Sequence, residues 1–371
     1  MSKTIGIGKF RELFETRNEI AAEWKTKSGK KIAGCISTYV PEEIIYAAEL
    51  LPVEIIGKPR SYTRADAYLP SFSCSFMRGF LEKLLENEYE YLDLLVLPSL
   101  CDSIWGFYSI WQELSPENRT YLLHYPAQRS KEALNYFAEE VERFKTFMET
   151  LSARDISNKD LGAAIEVYEK NRGLLKSLYE LRKEESPPIS GVEALEVVLS
   201  SMTAPKHLHN QLLEEFLSEI ERRDEYPKGN ARLLVSGHIM DDPDVLSVIE
   251  DSGGLIVADD LDTGSRYFWS LTDSAAKPIE SISRRYFELP SPYGSPFEDR
   301  IKYLMAMVRA FGVEGVVFAT RKFCDPYLFD YVALGHAMKE EGVPSLLLEY
   351  EYPLAKGSLK TRVEAFIEML R

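Results

Sequence analysis

Predicted strands and helices alternate along this chain in two blocks, and this alternation restricts the fold more than any other feature. From residue 31, apolar runs such as "KKIAGCIST" and "LDLLVLP" alternate with segments of helical spacing such as "CSFMRGFLEKLLEN". After residue 230 the alternation resumes with "ARLLVSG", "GLIVADD", "VEGVVFAT" and "PSLLLEY". Strands that alternate with helices at this spacing predict parallel sheets covered by helices. We therefore predict two α/β units of the Rossmann-like or flavodoxin-like kind.

The middle of the chain shows only helical patterns. Segments such as "SKEALNYFAEEVERFKTFMETL" repeat apolar residues at helical spacing. Ser157 with Asp160, and Ser190 with Glu193, have the serine-to-acid spacing of helix starts. We predict three domains: an N-terminal α/β domain at residues 1–127, a helical domain at 128–229 and a C-terminal α/β domain at 230–371.

Charge and apolar content exclude several classes of protein. Lys and Arg number 44 against 59 Asp and Glu, so the formal net charge is −15. Proteins that bind nucleic acid or anionic lipid present basic surfaces instead. No stretch approaches the roughly 18–20 continuous apolar residues of a membrane span, and the N-terminus lacks the apolar region of a secretory signal. We expect a cytoplasmic protein without nucleic-acid or membrane partners, whose cysteines are reduced, metal-binding or catalytic.

The four cysteines stand near one predicted edge of the sheets. Cys101 and Cys324 each begin a Cys-Asp pair after an apolar run, one in each α/β unit. Cys74 starts the second helix of the first unit, and Cys35 lies within or at the end of the first strand. Ligands of open parallel sheets bind at this edge, and helix N-termini stabilise thiolate charge. The pattern alone leaves two interpretations open: an iron–sulfur site, or small core residues.

Other candidate residues give weaker indications. A predicted strand is followed by Asp259, Asp260 and Arg266. These residues either line the cleft at the ligand-binding edge of the sheets or serve turns and helix caps. His207 and His209 are two positions apart on a predicted helix and therefore point to different faces. No G-x-G-x-x-G follows a strand, and "SGKK" lacks the rest of a Walker A loop. The sequence supports neither nucleotide binding nor any assignment of catalytic residues.

Six stretches together carry a resemblance to a known family. They are "GCISTYVPEEIIYAAELLPVEIIG" (34–57), "LPSFSCSFMRG" (69–79), "VLPSLCDSIW" (96–105), "VADDLDTGSRYF" (257–268), "VEGVVFATRKFCDPYLFDY" (313–331) and "TRVEAFIEML" (361–370). In this order they resemble the 2-hydroxyacyl-CoA dehydratase / benzoyl-CoA reductase family, and most closely its smaller, β-type subunits. The resemblance covers nearly the whole chain and is least distinctive in the helical middle.

The resemblance implies a cluster site and a substrate side. It implies that three thiolates hold a [4Fe-4S] cluster, supplied by Cys74, Cys101 and Cys324. A fourth position is then open to a non-protein ligand or another residue. Cys35 is not carried over as a ligand and is interpreted as a semi-buried thiol. Ser37 and Thr38 are candidates for the substrate side, because their segment faces cluster and substrate in the family.

The resemblance also implies partners and a reaction. Related enzymes pair two homologous cluster-bearing subunits, and a separate ATP-hydrolysing iron–sulfur activator injects one low-potential electron. In the dehydratases a 2-hydroxyacyl-CoA thioester becomes a ketyl radical, loses hydroxide and gives the 2-enoyl-CoA. In the reductases the same delivery reduces the ring of benzoyl-CoA. Two further alternatives are a homodimeric relative that reduces small molecules at a double-cubane [8Fe-9S] cluster, and an electron-transfer subunit whose partner holds the substrate.

Overall fold

The computed structural model describes residues 6–56, 62–115, 119–220, 223, 226–273 and 275–371. The stretch "PVEIIG" (52–57) is predicted as a strand, and its last residue, 57, lies outside the described residues. The stretch "RRDEYPKGN" (222–230) is predicted as the loop that closes the helical region, and its residues 222, 224 and 225 also lie outside them.

Eight strands are described in the order that the apolar runs predict. They are β1 (Ile32–Cys35), β2 (Leu51–Glu54), β3 (Leu94–Pro98), β4 (Arg119–Leu123), β5 (Ala231–Gly237), β6 (Gly254–Asp260), β7 (Gly315–Arg321) and β8 (Ser345–Tyr350). The helices of the N-terminal part are α1 (Gly8–Glu15), α2 (Arg17–Ser28), α3 (Glu42–Ala47), α4 (Ser75–Leu85) and α5 (Asp102–Leu114). The middle helices are α6 (Lys131–Ser152), α7 (Asn158–Glu180), α8 (Gly191–Thr203) and α9 (Lys206–Ile220). The C-terminal part has α10 (Asp244–Asp251), α11 (Ser265–Phe268), α12 (Pro278–Phe287), α13 (Phe297–Ala310), α14 (Asp325–Glu340) and α15 (Lys356–Leu370). Short 3₁₀ helices occur at Ala65–Ala67 and Leu181–Lys183.

The strands form two parallel sheets with the same topology. Within the described ranges, one sheet has the order β2-β1-β3-β4 and the other has the order β6-β5-β7-β8. Every pairing between neighbouring strands is parallel. The strand order reverses between β1 and β3 in one sheet and between β5 and β7 in the other. Open α/β sheets bind ligands at such points of reversal. The prediction of two parallel-sheet α/β units separated by helices is confirmed.

The middle helices pack against both sheets. Phe144 of α6 shares a hydrophobic cluster with Val96 of β3, and Leu195 of α8 shares another with Ile256 of β6. The helix starts predicted at Ser157 and Ser190 both form capping boxes, in which serine and acid satisfy each other's backbone N–H. The domain boundaries after residues 127 and 229 stay a prediction, since these helices share their cores with both α/β units.

The two α/β units face each other across a common hydrophobic cluster. Ile239, Cys324 and Tyr327 of the second unit belong to the same buried cluster as Leu97 and Phe107 of the first. Residues after the strands of both sheets therefore meet in one region. This contact positions the candidate site, because it brings the carboxyl ends of the two sheets together.

Candidate functional site

A cavity of about 810 Å³ lies where the two sheets face each other. Its wall contains residues that lie one to three positions after the four strands at the two points of order reversal, namely Ser37 after β1, Cys101 after β3, His238 after β5 and Cys324 after β7. Each of these strands runs toward the cavity with its carboxyl end. The cavity therefore occupies the ligand-binding position of both sheets at once.

Three of the four cysteines line this cavity, and each one caps a helix. Cys74 is the N-cap residue of α4, Cys101 that of α5 and Cys324 that of α14. Cys74 and Cys324 are buried, and Cys101 is partly exposed. At a helix start, backbone N–H groups have no partner within the helix and carry partial positive charge. The three sulfur atoms therefore stand where negative charge is stabilised.

Hydrogen bonding and burial act differently on the three thiols. The neighbouring Cys324 thiol and the backbone N–H of Phe76 lower the pKa of Cys74 to about 7, although burial opposes the change. Burial raises the pKa of Cys101 to about 11. The neighbouring Cys74 sulfur, together with burial, raises the pKa of Cys324. A metal bound at this site would deprotonate the thiols that coordinate it.

The donor set fits an iron–sulfur cluster better than a single ion. Across residues 6–371, leaving aside the gaps noted above, no three His, Cys, Asp or Glu side chains form a group that could hold one metal ion. A cluster spreads its ligands over several iron atoms, so its thiolates need not converge on one point. Three thiols around one cavity, each at a helix start, match that requirement. Ligation of a cluster by Cys74, Cys101 and Cys324 remains a prediction.

Ser37 and Thr38 occupy different positions relative to the cavity. Ser37 lines it, with a left-handed backbone φ of 75°, and its N–H donates to Oε1 of Glu54 at 2.6 Å. Thr38 is buried and is not part of the cavity wall. Neither hydroxyl has a hydrogen-bond partner among the described residues. Ser37 is thus the better placed of the two candidates for the substrate side, a role that stays a prediction.

Glu54 is a residue that the sequence reasoning missed. It ends β2 and is buried, and burial raises the pKa of its carboxyl group well above the ordinary value. The available signal was an acid at the end of an otherwise apolar strand, "LPVE". Glu54 thus places a buried carboxyl group beside the Ser37 loop, next to the cavity.

The second α/β unit contributes further residues to the wall that sequence reasoning did not select. The buried His238 ring accepts a hydrogen bond at Nε2 from the backbone N–H of Arg321 at 3.2 Å, and burial lowers its pKa, so it is neutral. Tyr293 packs edge-on against Tyr327, with ring centroids 5.7 Å apart, and burial raises the pKa of its hydroxyl. The local sequence around His238 and Tyr293 carries no pattern that separates them from other core residues.

The acidic pair at the end of β6 does not line the cavity. Asp259 accepts hydrogen bonds from Arg182 at 3.0 Å and from the backbone N–H of Ser265 at 2.8 Å. Asp260 forms buried ion pairs with Arg266 at 2.6 Å and with Arg300 at 2.8 Å. Of the two roles proposed from sequence, the one at the cleft is wrong, because these charges are neutralised inside the second α/β unit.

Cys35 is separated from the other three cysteines. It is the last residue of β1 and is 2% exposed, so it is fully rather than partly buried. It does not line the cavity, and burial raises the pKa of its thiol well above the ordinary value. This position agrees with the interpretation of Cys35 as a thiol of the protein core.

Fold and cavity together define a class: a two-sheet α/β protein whose two units bring three cysteines to one shared ligand-binding edge. The chain belongs to the family described as "2-hydroxyglutaryl-CoA dehydratase, D-component", which it matches over residues 37–370. The resemblance inferred from the six sequence stretches is therefore confirmed. The family contains proteins named as dehydratases and as a reductase, so it is a family of enzymes.

Three relatives illustrate the range of the family. The chain is 29% identical over 361 residues to a benzoyl-CoA reductase subunit of Thauera aromatica, covering 94% of both chains. It is 27% identical over 365 residues to the (R)-phenyllactyl-CoA dehydratase beta subunit of Clostridium sporogenes, covering 97% of both. It is 28% identical over 357 residues to the beta subunit of lactoyl-CoA dehydratase of Anaerotignum propionicum, covering 94% of both. All three are named as subunits.

The described helices include none that combines the length and the apolar character needed to cross a membrane.

Proposed function

We propose that this chain is the iron–sulfur subunit of a 2-hydroxyacyl-CoA dehydratase that depends on a separate ATP-hydrolysing activator and forms a 2-enoyl-CoA. One observation carries the proposal: cysteines from both α/β units, all at helix starts, line a single cavity. The names of two relatives, a phenyllactyl-CoA and a lactoyl-CoA dehydratase subunit, support the reaction class.

In this proposal Cys74, Cys101 and Cys324 hold a [4Fe-4S] cluster between the two α/β units. When bound, the cluster supplies a one-electron centre of low potential. Backbone N–H groups at the starts of α4, α5 and α14 carry partial positive charge and stabilise negative charge on the nearby sulfur atoms. Apolar side chains such as Ile36 and Met77 line the same wall and limit water near the sulfurs. The chain thereby provides a site that holds little water and stabilises negative charge.

The substrate side lies on the wall next to the thiols. We place the thioester of the acyl-CoA against Ser37 and Tyr293, which both line the cavity. The Ser37 hydroxyl has no partner within the described part of the chain, and burial keeps the hydroxyl of Tyr293 protonated by raising its pKa. Two neutral donors suit an oxygen that gains negative charge when the thioester accepts an electron. Thr38, one residue further, is buried and does not line the wall.

A benzoyl-CoA reductase subunit is the second candidate. The relative named as a subunit of that reductase is as similar to this chain as the dehydratase subunits are, with coverage of 94% of both chains. Both candidates need the same prepared site, since each delivers a low-potential electron to a CoA thioester. They differ in the fate of that electron: a ring is reduced, or hydroxide leaves and the electron is recycled.

The proposed partner is a homologous cluster-bearing subunit or a second copy of this chain. Three phenylalanines, Phe297, Phe323 and Phe329, line the cavity and are exposed at its mouth, Phe329 to 70%. Val332 is exposed beside them, one turn further along α14. We call the three phenylalanines the aromatic rim. Exposed apolar patches of this kind mark interaction sites, and a partner that covers the rim would also close the cavity to water.

Iron content of cysteine variants tests the cluster. The wild-type protein, purified without oxygen, is expected to bind about four irons per chain. Cys74→Ala, Cys101→Ala and Cys324→Ala should each lose most of this iron. Cys35→Ala is the matched control, because it removes a buried thiol outside the cavity. Iron that stays at the wild-type level in the three cavity variants contradicts the proposal, and about eight irons per chain favours the double-cubane cluster.

Activity separates the two reactions. The protein is combined with its activator, ATP and a low-potential reductant, and 2-hydroxyacyl-CoA thioesters and benzoyl-CoA are offered in parallel. Formation of a 2-enoyl-CoA supports the dehydratase. Formation of a dienoyl-CoA from benzoyl-CoA instead identifies the reductase.

A further inference from the structure

Arg321 lies directly behind the proposed cluster site. It is the last residue of β7, and its carbonyl oxygen accepts a hydrogen bond from the backbone N–H of Cys324 at 3.2 Å. Its side chain has no solvent exposure, and it forms an ion pair with Asp241, which is also buried. A buried guanidinium remains charged and its field is weakly screened, because neither water nor salt surrounds it.

The Arg321 side chain is only partly satisfied by its surroundings. Within the described chain, Nε and Nη1 of Arg321 and Oδ2 of Asp241 have no hydrogen-bond partner. Instead, the guanidinium carbon lies 4.9 Å from the ring centre of Tyr352 and 5.6 Å from that of Phe76. Phe76 is in the first turn of α4, which Cys74 caps. The cation is thus packed between the elements that carry two of the three thiols.

The charge of Arg321 lies next to the segments that carry two of the thiols. The carbonyl oxygen of Arg321 is hydrogen-bonded to the N–H of Cys324, and its guanidinium packs against Phe76, two residues after Cys74. A cation that favours a thiolate also favours any other negative charge at that position. A buried ion pair is weak evidence of a stability role, because desolvation offsets its attraction. An electrostatic role toward the cavity explains its position better.

We propose that Arg321 and Asp241 set the reduction potential of the cluster bound by Cys74, Cys101 and Cys324, with Arg321 raising it and Asp241 moderating that effect. This inference rests on the cluster of the proposed function. Reduction adds one electron from an external low-potential donor and breaks no bond, so the site becomes more negative by one charge. Arg321 stabilises that added charge, and Asp241 opposes it. Net charge and burial are the protein's main means of adjusting such potentials.

Three variants of the pair, with one control, test the inference. Arg321→Met removes the cation, Arg321→Lys keeps it, and Asp241→Asn removes the opposing anion. Lys322→Met is the control: it also deletes one positive charge, from the next residue, but this side chain is half exposed and therefore screened by solvent. Iron content is measured first. Midpoint potentials then follow from anaerobic titration with titanium(III) citrate, monitored by electron paramagnetic resonance.

The expected potentials fall in a fixed order. Arg321→Met should lower the ratio of reduced to oxidised cluster about tenfold at a given ambient potential, which corresponds to 59 mV for a one-electron couple. Asp241→Asn should raise the ratio, whereas Arg321→Lys and Lys322→Met should stay near the wild type. A packing defect does not predict opposite shifts for the two members of one ion pair.

Separate results overturn the inference and the proposed function. Iron-loaded Arg321→Met and Asp241→Asn proteins with the wild-type potential refute the role of the pair and leave the cluster intact. If Arg321→Met loses its iron, Asp241→Asn alone decides, and an unchanged or lowered potential refutes the inference. A wild-type protein without iron refutes the proposed function itself, and with it the ground for this inference.

Discussion

His209 offers a quantitative test of the structure in the helical region. It lies on α9 with a side chain that has no solvent exposure. Asn171 donates to its Nδ1 from Nδ2 at 3.0 Å, and its Nε2 donates to the carbonyl oxygen of Val197 at 3.1 Å. Both ring nitrogens are used by the neutral form. Burial, with a smaller contribution from the Lys206 charge, lowers the pKa of His209 to about 3.

The sign and size of the effect follow from linkage. An unfolded histidine has a pKa of about 6.5, so between pH 6.5 and 3 the unfolded chain binds a proton that folded His209 does not. The stability that His209 contributes is therefore complete above pH 6.5 and is lost as the pH falls toward 3. With a folded pKa of about 3, the loss between pH 7.5 and pH 5 amounts to about 2 kcal/mol.

A difference between variants isolates this term from other titrating groups. His209→Gln keeps an acceptor for Asn171 and a donor for Val197 but does not titrate. Anaerobic urea unfolding, followed by circular dichroism, gives the free energy of unfolding at both pH values. Relative to this variant, the wild type should lose about 2 kcal/mol at pH 5. His207→Gln, on the exposed side of the same helix, is the control. A wild-type-minus-variant difference that is equal at both pH values refutes the burial of a neutral His209.

Two further predictions concern the aromatic rim and a buried ion pair. Phe329→Ser should weaken association with the partner protein or second copy by about 2 kcal/mol or more in analytical ultracentrifugation, as loss of an aromatic anchor does. Met369→Ser, exposed on α15 and outside the cavity wall, should leave association unchanged. Arg300→Met should lower the free energy of unfolding in urea by about 3–5 kcal/mol, since Arg300 pairs with two buried aspartates. Lys302→Met, whose ion pair is exposed, should change it by less than about 0.5 kcal/mol, and equal losses contradict this reasoning.

Local pattern sufficed to predict the strands and several helix starts. An apolar run of strand length, such as "ARLLVSG", has few alternatives to a buried parallel strand, so the predicted strands occur in order. The capping boxes at Ser157 and Ser190 depend on residues three positions apart and were equally predictable. In contrast, α2 buries Ala21 alone and lacks the apolar periodicity on which prediction depends.

The polar residues of the site also divide into those that local pattern predicts and those that it does not. Placement of Cys101 and Cys324 at strand ends could be predicted from the apolar runs before them. It could not be predicted whether an acid at the end of a strand faces a cavity or a buried arginine. The cleft role considered for Asp260 was wrong for that reason. The fate of an isolated charge depends on partners far away in the chain, and one sequence does not reveal them.

The sequence by itself determined the two parallel-sheet units, the helices between them and the edge at which each cysteine stands, because these depend on interactions between near neighbours. Only the tertiary structure decided that Cys74, Cys101 and Cys324 share one cavity while Cys35 does not. It also decided that Arg321 and Asp241 are buried together behind that cavity. The shared cavity arises from the packing of the two α/β units against each other, through a hydrophobic cluster with residues from both halves of the chain. Arg321 and Asp241 meet because β7, which Arg321 ends, pairs with β5, which Asp241 follows.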